Sequence, residues 1–173
     1  MVTPKCLVHE DVPQPSPKAG EVLIKIEVVG LNFADVMRRR GAPFPVPSPA
    51  PFTLGAEIAG TVAELGEGVT GLEVGTPVFA TPGDGGYAQY ICVPTATVIP
   101  LPPGLSPEQV AALVVHALTA VVALKKSARI QPRDTVLVEG AAGGLGSFSI
   151  QLAKLIVSEV IANVRSKHSG EAD

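Results

Sequence analysis

A glycine-rich stretch at residues 136–154 holds the residues whose types and spacing point most directly to chemistry. It reads VLVEGAAGGLGSFSIQLAK, an apolar run followed by a tight turn and a helical segment. Glycine at 143 lets backbone approach a pyrophosphate, glycine at 146 lets a helix pack closely on a strand, and the free N–H groups of a helix start favour an anion. The spacing is that of a G-x-G-x-x-G fingerprint with alanine first, and it predicts a dinucleotide site; a glycine-rich turn without a ligand is the alternative. The predicted cofactor-binding residues are Ala141, Ala142, Gly143, Gly144, Leu145 and Gly146.

The end of the next predicted strand indicates which dinucleotide this turn would take. NAD-binding versions of the fingerprint place an Asp or Glu about 20 residues further on, where it accepts hydrogen bonds from the ribose. That acid is absent here, and the strand runs instead into Arg165, Ser166 and Lys167. Because a cation at this position can pair with a 2′-phosphate, these three residues predict NADPH rather than NADH. The alternative is that Arg165 and Lys167 are ordinary solvated residues.

Short strands are predicted to make up the region before residue 108, where most of the 18 glycines and 17 prolines lie. Glu21–Val29 alternates apolar and charged side chains with a period of two, which is typical of a half-buried strand. Turn signals at 66–68 and 82–86 separate the further strands. Those strands are predicted at residues 57–65, 77–80, 87–93 and 97–100.

A helix and one βαβ unit are predicted for the rest of the chain. Ser106, followed by Pro107 and Gln109, is a strong helix start, and the helix should continue to about residue 124 before Lys125 and Lys126. A strand at 135–138, a helix at 143–155 and a strand at 159–164 then complete the βαβ unit.

Composition excludes several classes of protein. The chain has 173 residues, 46% hydrophobic content, a net charge of −3 and a pI near 5.6, so it should fold and carries no basic footprint for nucleic acid. The Arg38-Arg39-Arg40 triplet is interpreted as a solvated turn. The longest apolar stretch, at 110–124, is too short to span a bilayer. Cys6 and Cys92 suggest neither a disulfide framework nor a structural zinc site, which fits a reducing cytoplasmic setting.

Four motifs carry a resemblance to a known family. They are GLNFAD at 30–35, GAEIAGTV at 55–62, GGYAQY at 85–90 and AAGGLG at 141–146. In this order and spacing the chain resembles the quinone oxidoreductase branch of the medium-chain dehydrogenase/reductase superfamily, over about residues 20–164. The resemblance implies a mixed α/β fold: a GroES-like β-barrel domain with its linking helix at residues 1–127, followed at 128–173 by the first βαβ unit of an incomplete Rossmann domain.

The same resemblance implies how the site would work. NADPH would lie between the two domains, with Asn32 and Asp35 as catalytic residues near nicotinamide and substrate and Thr119 lining the cofactor cleft. Zinc-dependent relatives carry a Cys and a His-Glu pair where this chain has Asn32 and Ala56-Glu57, so a zinc-free enzyme is expected. The alternative is that Asn32 and Asp35 only hydrogen-bond a turn.

The expected function is NADPH-dependent hydride transfer to a quinone or an α,β-unsaturated carbonyl compound, without metal, nucleic-acid or membrane partners. A homodimer is allowed where the full-length domain is present. Residues 135–173 suffice for only one βαβ unit, so a truncated, inactive chain that acts through a partner is the second interpretation. The third is an interaction module built on the proline-rich loop at 43–51.

Overall fold

The computed structural model describes residues 7–42, 49–157 and 159–164 of the chain. Inter-residue contacts divide the chain within a helix, into units at residues 1–112 and 113–173. The sequence placed its domain boundary at 127 instead, after that helix, and the assignment of functional domains stays a prediction.

The first unit is built on a five-stranded antiparallel sheet with the order β4-β1-β2-β3-β5. Its strands are β1 (Glu21–Val29), β2 (Ile58–Leu65), β3 (Pro77–Ala80), β4 (Tyr90–Pro94) and β5 (Val98–Pro100). All five predicted strands are therefore present. β4 begins three residues later than predicted.

Alternation along β1 builds the core of this sheet. Val22 and Ile24 are fully buried against apolar side chains of the neighbouring strands, such as Val62 and Val78. Burial of each such side chain contributes about 1.5–3 kcal/mol relative to exposure. Leu23 is also buried, so the start of β1 is covered on both faces and not only on the one that its alternation predicted.

Glycine at position 60 allows β1 and β2 to approach each other closely. Gly60 lies opposite Ile26, beside one of the two register irregularities between these strands. A β-carbon at Gly60 would overlap the carbonyl oxygen of Lys25 and lie 3.0 Å from the α-carbon of Ile26. Only a residue without a side chain fits this position.

A short helix, α1 (Phe33–Arg39), follows β1, and the sequence analysis did not predict it. The interpretation of residues 38–40 as a solvated turn is wrong for Arg38, whose side chain is only 5% exposed. The helix places Arg38 one turn after Asp35, so both side chains face the interior of the unit.

The long helix α2 (Pro107–Val121) continues into a π-helical turn at Val122–Ser127. Its predicted start is confirmed, because the backbone N–H of Ser106 donates to Gln109 Oε1 at 2.9 Å and that of Gln109 donates to Ser106 Oγ at 3.3 Å. By length and composition alone Pro107–Ser127 could cross a membrane, with 21 residues and a mean hydropathy of 1.6. Length therefore does not support the exclusion drawn from residues 110–124, although a core helix of a soluble protein meets the same criteria.

The second unit contains the predicted βαβ arrangement. β6 (Thr135–Glu139) and β7 (Glu159–Asn163) pair in parallel and α3 (Gly144–Lys154) connects them. The apolar side of α3 packs on the sheet around Ala153, Val136 and Val160. The mixed α/β class and the element order predicted from the sequence, a β-sheet domain followed by one βαβ unit, are confirmed.

Candidate functional site

Three of the sequence motifs meet in the first unit through side-chain hydrogen bonds. Asn32 Nδ2 donates to Glu57 Oε1 at 2.7 Å, which joins the motif at 30–35 to the motif at 55–62. The hydroxyl of Tyr87 donates to Asp35 Oδ2 at 2.9 Å, which joins the first motif to the one at 85–90. The structure thus brings the two predicted catalytic residues, Asn32 and Asp35, into one network with Glu57 and Tyr87.

Asn32 and Asp35 are held by the start of helix α1. Asn32 is the N-cap residue in extended backbone conformation, and its backbone N–H donates to Asp35 Oδ2 at 2.9 Å. The Asp35 carboxylate therefore accepts two hydrogen bonds, one from Asn32 and one from Tyr87. Because the Asp35 carboxylate is buried, it holds Asn32 and Tyr87 from the interior of the unit.

Backbone contacts between two loops fix the position of Tyr87. The backbone N–H of Gly86 donates to the Gly55 carbonyl at 3.0 Å, and that of Tyr87 donates to the Leu54 carbonyl at 2.8 Å. Gly55 has φ +106°, and a β-carbon there would lie 2.6 Å from the Tyr87 nitrogen. This explains why both motifs contain glycines: side chains would separate the loops.

Arg38 fixes the same loop to helix α1 from the other side. Its Nη2 donates to Asp84 Oδ2 at 2.6 Å, its Nη1 also pairs with Asp84 and donates to the Gly83 carbonyl at 3.2 Å, and its guanidinium carbon lies 4.9 Å from the Phe52 ring centre. The hydrogen bonds to Asp84 raise the pKa of Arg38 further, although burial opposes them. Sequence reasoning missed this pair, since no spacing rule links residues 46 apart.

The electrostatics of the network keep Tyr87 protonated. Burial, and then the hydrogen bond to Asp35, raise the pKa of Tyr87 well above its usual value. The phenol is therefore a hydrogen-bond donor across the physiological range and not a base. The contacts also agree with the alternative that Asn32 and Asp35 only organise a turn, and their catalytic roles stay a prediction.

In the second unit, the glycine-rich turn has the geometry of an anion site. Gly143 is the N-cap of α3, and the first helical bond runs from the Ser147 N–H to the Gly143 carbonyl at 2.9 Å. The N–H groups of Gly144, Leu145 and Gly146 have no acceptor among the residues that the structure describes. A β-carbon at Gly146 would overlap the Gly140 carbonyl and lie 2.8 Å from the Ala141 α-carbon, as close helix-strand packing requires.

Gly144 occupies a position that the fingerprint leaves open, and His116 restricts which residue fits there. A β-carbon on Gly144 would lie 2.6 Å from His116 Nε2, so the imidazole of α2 occupies the space that a side chain would fill. The same imidazole stacks on Phe148, with ring centres 6.3 Å apart and planes 6° apart. His116 therefore supports the turn by packing.

The other residues predicted to bind the cofactor differ in their exposure, and some of them lie outside the described residues. Ala141 is buried, and Ala142, Gly143, Gly144 and Leu145 are exposed at the turn. The Thr119 hydroxyl donates to the Val115 carbonyl at 2.6 Å within α2. Arg165, Ser166 and Lys167, like the prolines at 43–48, lie outside the described residues. No group of three or more His, Cys, Asp or Glu side chains suited to a metal ion occurs in the described ranges.

Comparison with known proteins places these features in a family. Residues 18–103 match the alcohol dehydrogenase GroES-like domain. A synaptic vesicle membrane protein VAT-1 homolog from Danio rerio is 38% identical over 143 residues, covering 83% of this chain and 29% of the relative. A quinone oxidoreductase from Rattus norvegicus is 35% identical over 161 residues, covering 92% and 49%.

A solved structure gives the same result. The quinone oxidoreductase from Thermus thermophilus, whose structures include its complex with NADPH, is 37% identical and superposes with a TM-score of 0.79 over 92% of this chain and 50% of that protein. The chain thus spans about half, or less, of the length of these relatives. The chain belongs to the quinone oxidoreductase branch of the alcohol dehydrogenase-like, medium-chain dehydrogenase/reductase superfamily.

Proposed function

We propose that this chain provides the substrate-site network and the first dinucleotide-binding unit of an NADPH-dependent, zinc-independent reductase of quinones or α,β-unsaturated carbonyl compounds. The observation that carries the proposal is the start of α3, where three backbone N–H groups lack acceptors among the described residues and glycines remove the neighbouring side chains. This arrangement suits a pyrophosphate. The names of the rat and Thermus relatives support the reaction class.

Each predicted residue has a defined task in this proposal. Bound NADPH supplies the hydride. The N–H groups of Gly144, Leu145 and Gly146 hold the pyrophosphate, and Arg165, Ser166 and Lys167 hold the 2′-phosphate. Thr119 lines the cofactor site.

The first unit orients the substrate. Asn32 has a spare amide hydrogen that can donate to a carbonyl oxygen, because its Nδ2 uses one hydrogen on Glu57. Asp35 keeps Asn32 and Tyr87 in place through its two accepted hydrogen bonds. A chain that works in this way in the cytoplasm needs no metal ligand, because the protein contributes orientation and a dry site.

Titration with the two cofactors tests this proposal. Calorimetry with NADPH and NADH should show tighter binding of NADPH, and replacement of Arg165 and Lys167 by alanine should remove that preference without weakening NADH. Replacement of Lys125 and Lys126 by alanine, in the π-helical turn that follows α2, removes the same number of charges and is the matched control. Equal or tighter binding of NADH by the unaltered chain would refute the cofactor assignment. In a separate experiment, NADPH oxidation with a panel of quinones and enones tests the substrate class.

A second candidate is a chain without activity of its own that acts through a partner. Leu137 on β6 and Ile161 on β7 are 57% and 49% exposed, which leaves one face of this two-stranded sheet uncovered. Exposed apolar side chains on paired strands favour association with further protein surface. A folded chain that fails to oxidise NADPH with any tested acceptor supports this candidate.

A further inference from the structure

Glu57 is the most deeply buried charged side chain in the described parts of the molecule, with 1% exposure. The proposed function assigns no role to the Glu57 carboxylate. Burying a carboxylate costs several kcal/mol unless hydrogen bonds compensate, so its partners explain its position. One of them is Asn32 Nδ2, 2.7 Å from Glu57 Oε1.

Neighbouring backbone restricts where the Glu57 carboxylate can lie. The Gly30 N–H donates to the Glu57 carbonyl at 3.1 Å, so the two backbones are adjacent. A β-carbon on Gly30 would overlap Glu57 Oε1 and lie 2.5 Å from Cδ. The carboxylate fills the volume that glycine leaves, and from there it reaches Asn32.

Asn32 is consequently fixed at two points. Its backbone N–H is bound by Asp35, and its side-chain amide is bound by Glu57. An asparagine amide carries two hydrogens on Nδ2. Glu57 takes one of them, and no acceptor is assigned to the other among the residues described here.

We propose that Glu57 is a positioning residue, which orients the Asn32 amide so that its second Nδ2 hydrogen is presented to an acceptor oxygen of the bound substrate. This inference rests on the proposed function for the identity of that oxygen. When the conjugated carbon of an enone accepts a hydride from reduced nicotinamide, the electron pair moves to the carbonyl oxygen and the nicotinamide is oxidised. A hydrogen bond from Asn32 stabilises the resulting enolate oxygen. Water then donates a proton to the α-carbon, which restores the carbonyl group, completes the reduced product and leaves hydroxide.

Nuclear magnetic resonance with ¹⁵N-asparagine tests the contact without any activity. The chain has two asparagines, Asn32 and Asn163, so the labelled protein shows two side-chain amide groups. In the unaltered chain the two Asn32 side-chain hydrogens should differ, one exchanging with solvent at least about tenfold more slowly than those of exposed Asn163. Equal exchange at both asparagines would overturn the proposal.

Two variants of similar length separate the hydrogen bond from packing. Glu57→Gln retains an acceptor oxygen and should preserve the slow Asn32 hydrogen, whereas Glu57→Met removes the acceptor and should abolish the protection. The Asn163 signals should stay unchanged in both. An unchanged Asn32 pair in Glu57→Met contradicts the proposal; if that variant does not fold, the unaltered chain and Glu57→Gln still decide.

Kinetics and binding distinguish this inference from the proposed function. Glu57→Met should lower kcat about tenfold while the Kd for NADPH stays within about twofold, and Glu57→Gln should recover most of kcat. Equal kcat in Glu57→Met and the unaltered chain would refute the positioning role. If the unaltered chain neither binds NADPH nor reduces any acceptor, the proposed function fails, and the labelled amide still decides whether Glu57 orients Asn32.

Discussion

Replacing Tyr87 with phenylalanine removes one hydroxyl and leaves the buried Asp35 carboxylate with one fewer donor. The lost bond is 2.9 Å long, and the other donor described for Asp35 is the Asn32 backbone N–H. Hydrogen bonds to charged groups contribute about 1.5–3 kcal/mol. Because Tyr87 itself is only half-buried, we expect a loss of about 2 kcal/mol in the free energy of unfolding, roughly 30-fold in the folding equilibrium.

Tyrosine fluorescence during urea unfolding measures this loss in the first unit alone. The chain has two tyrosines and no tryptophan, and both tyrosines lie before residue 113. Tyr90→Phe is the matched control, since no hydrogen bond is recorded for its hydroxyl within the described ranges, and it should change stability by less than about 0.5 kcal/mol. In an Asp35→Ala background, Tyr87→Phe should also cost little. Equal effects of the two tyrosine substitutions in the native background would refute the reasoning.

Three further predictions concern pH, strand packing and the glycine-rich turn. Because the pKa of Tyr87 is raised, the contribution of its protonated phenol to stability is complete below about pH 10 and is lost as the pH rises above that value. In urea unfolding above pH 10, the free energy of unfolding should therefore fall more steeply in the unaltered chain than in Tyr87→Phe, by up to about 1.4 kcal/mol per pH unit. Gly60→Ala should destabilise the sheet by about 3 kcal/mol or prevent folding, because its β-carbon meets the backbone of Lys25; soluble, native-like protein by circular dichroism would contradict this. Gly144→Ala should lower the thermal midpoint of the unaltered chain by several degrees but have a much smaller effect in a His116→Ala background, and equal effects would show that the imidazole does not occupy that space.

Local patterns explain why most of the fold could be predicted from the sequence. The alternation of Glu21–Val29 and the Ser106–Gln109 cap act over a few residues, and both appear in the structure as expected. The strand-turn-helix at 135–154 is equally local. Helix α1 was missed because its seven residues are too few to show a helical period and stability comes from tertiary contacts.

The site could be predicted only in part, because its contacts are distant in sequence. Motif resemblance named Asn32 and Asp35, but it did not show that Tyr87 and Glu57 bind them or that Arg38 pairs with Asp84. Burial of a cation depends on which acid the fold brings to it, and charge patterning along the chain carries no such information. The role of His116 beside Gly144 was likewise invisible, because a fingerprint records glycines and not the atoms that replace their side chains.

The hydrogen bonds of the first-unit network have a consequence for the order of folding. They join residues separated by 25, 46 and 52 positions, from Asn32 to Glu57, from Arg38 to Asp84 and from Asp35 to Tyr87. Each contact must close a long loop of unstructured chain unless the intervening strands have already formed, and that loss of entropy grows with loop length. The hairpin-like pairing of β1 with β2 shortens these loops when it forms first. We therefore expect the network to form late in folding, after β1 and β2 have paired in the correct register. Chains in which these strands pair out of register would not form the network.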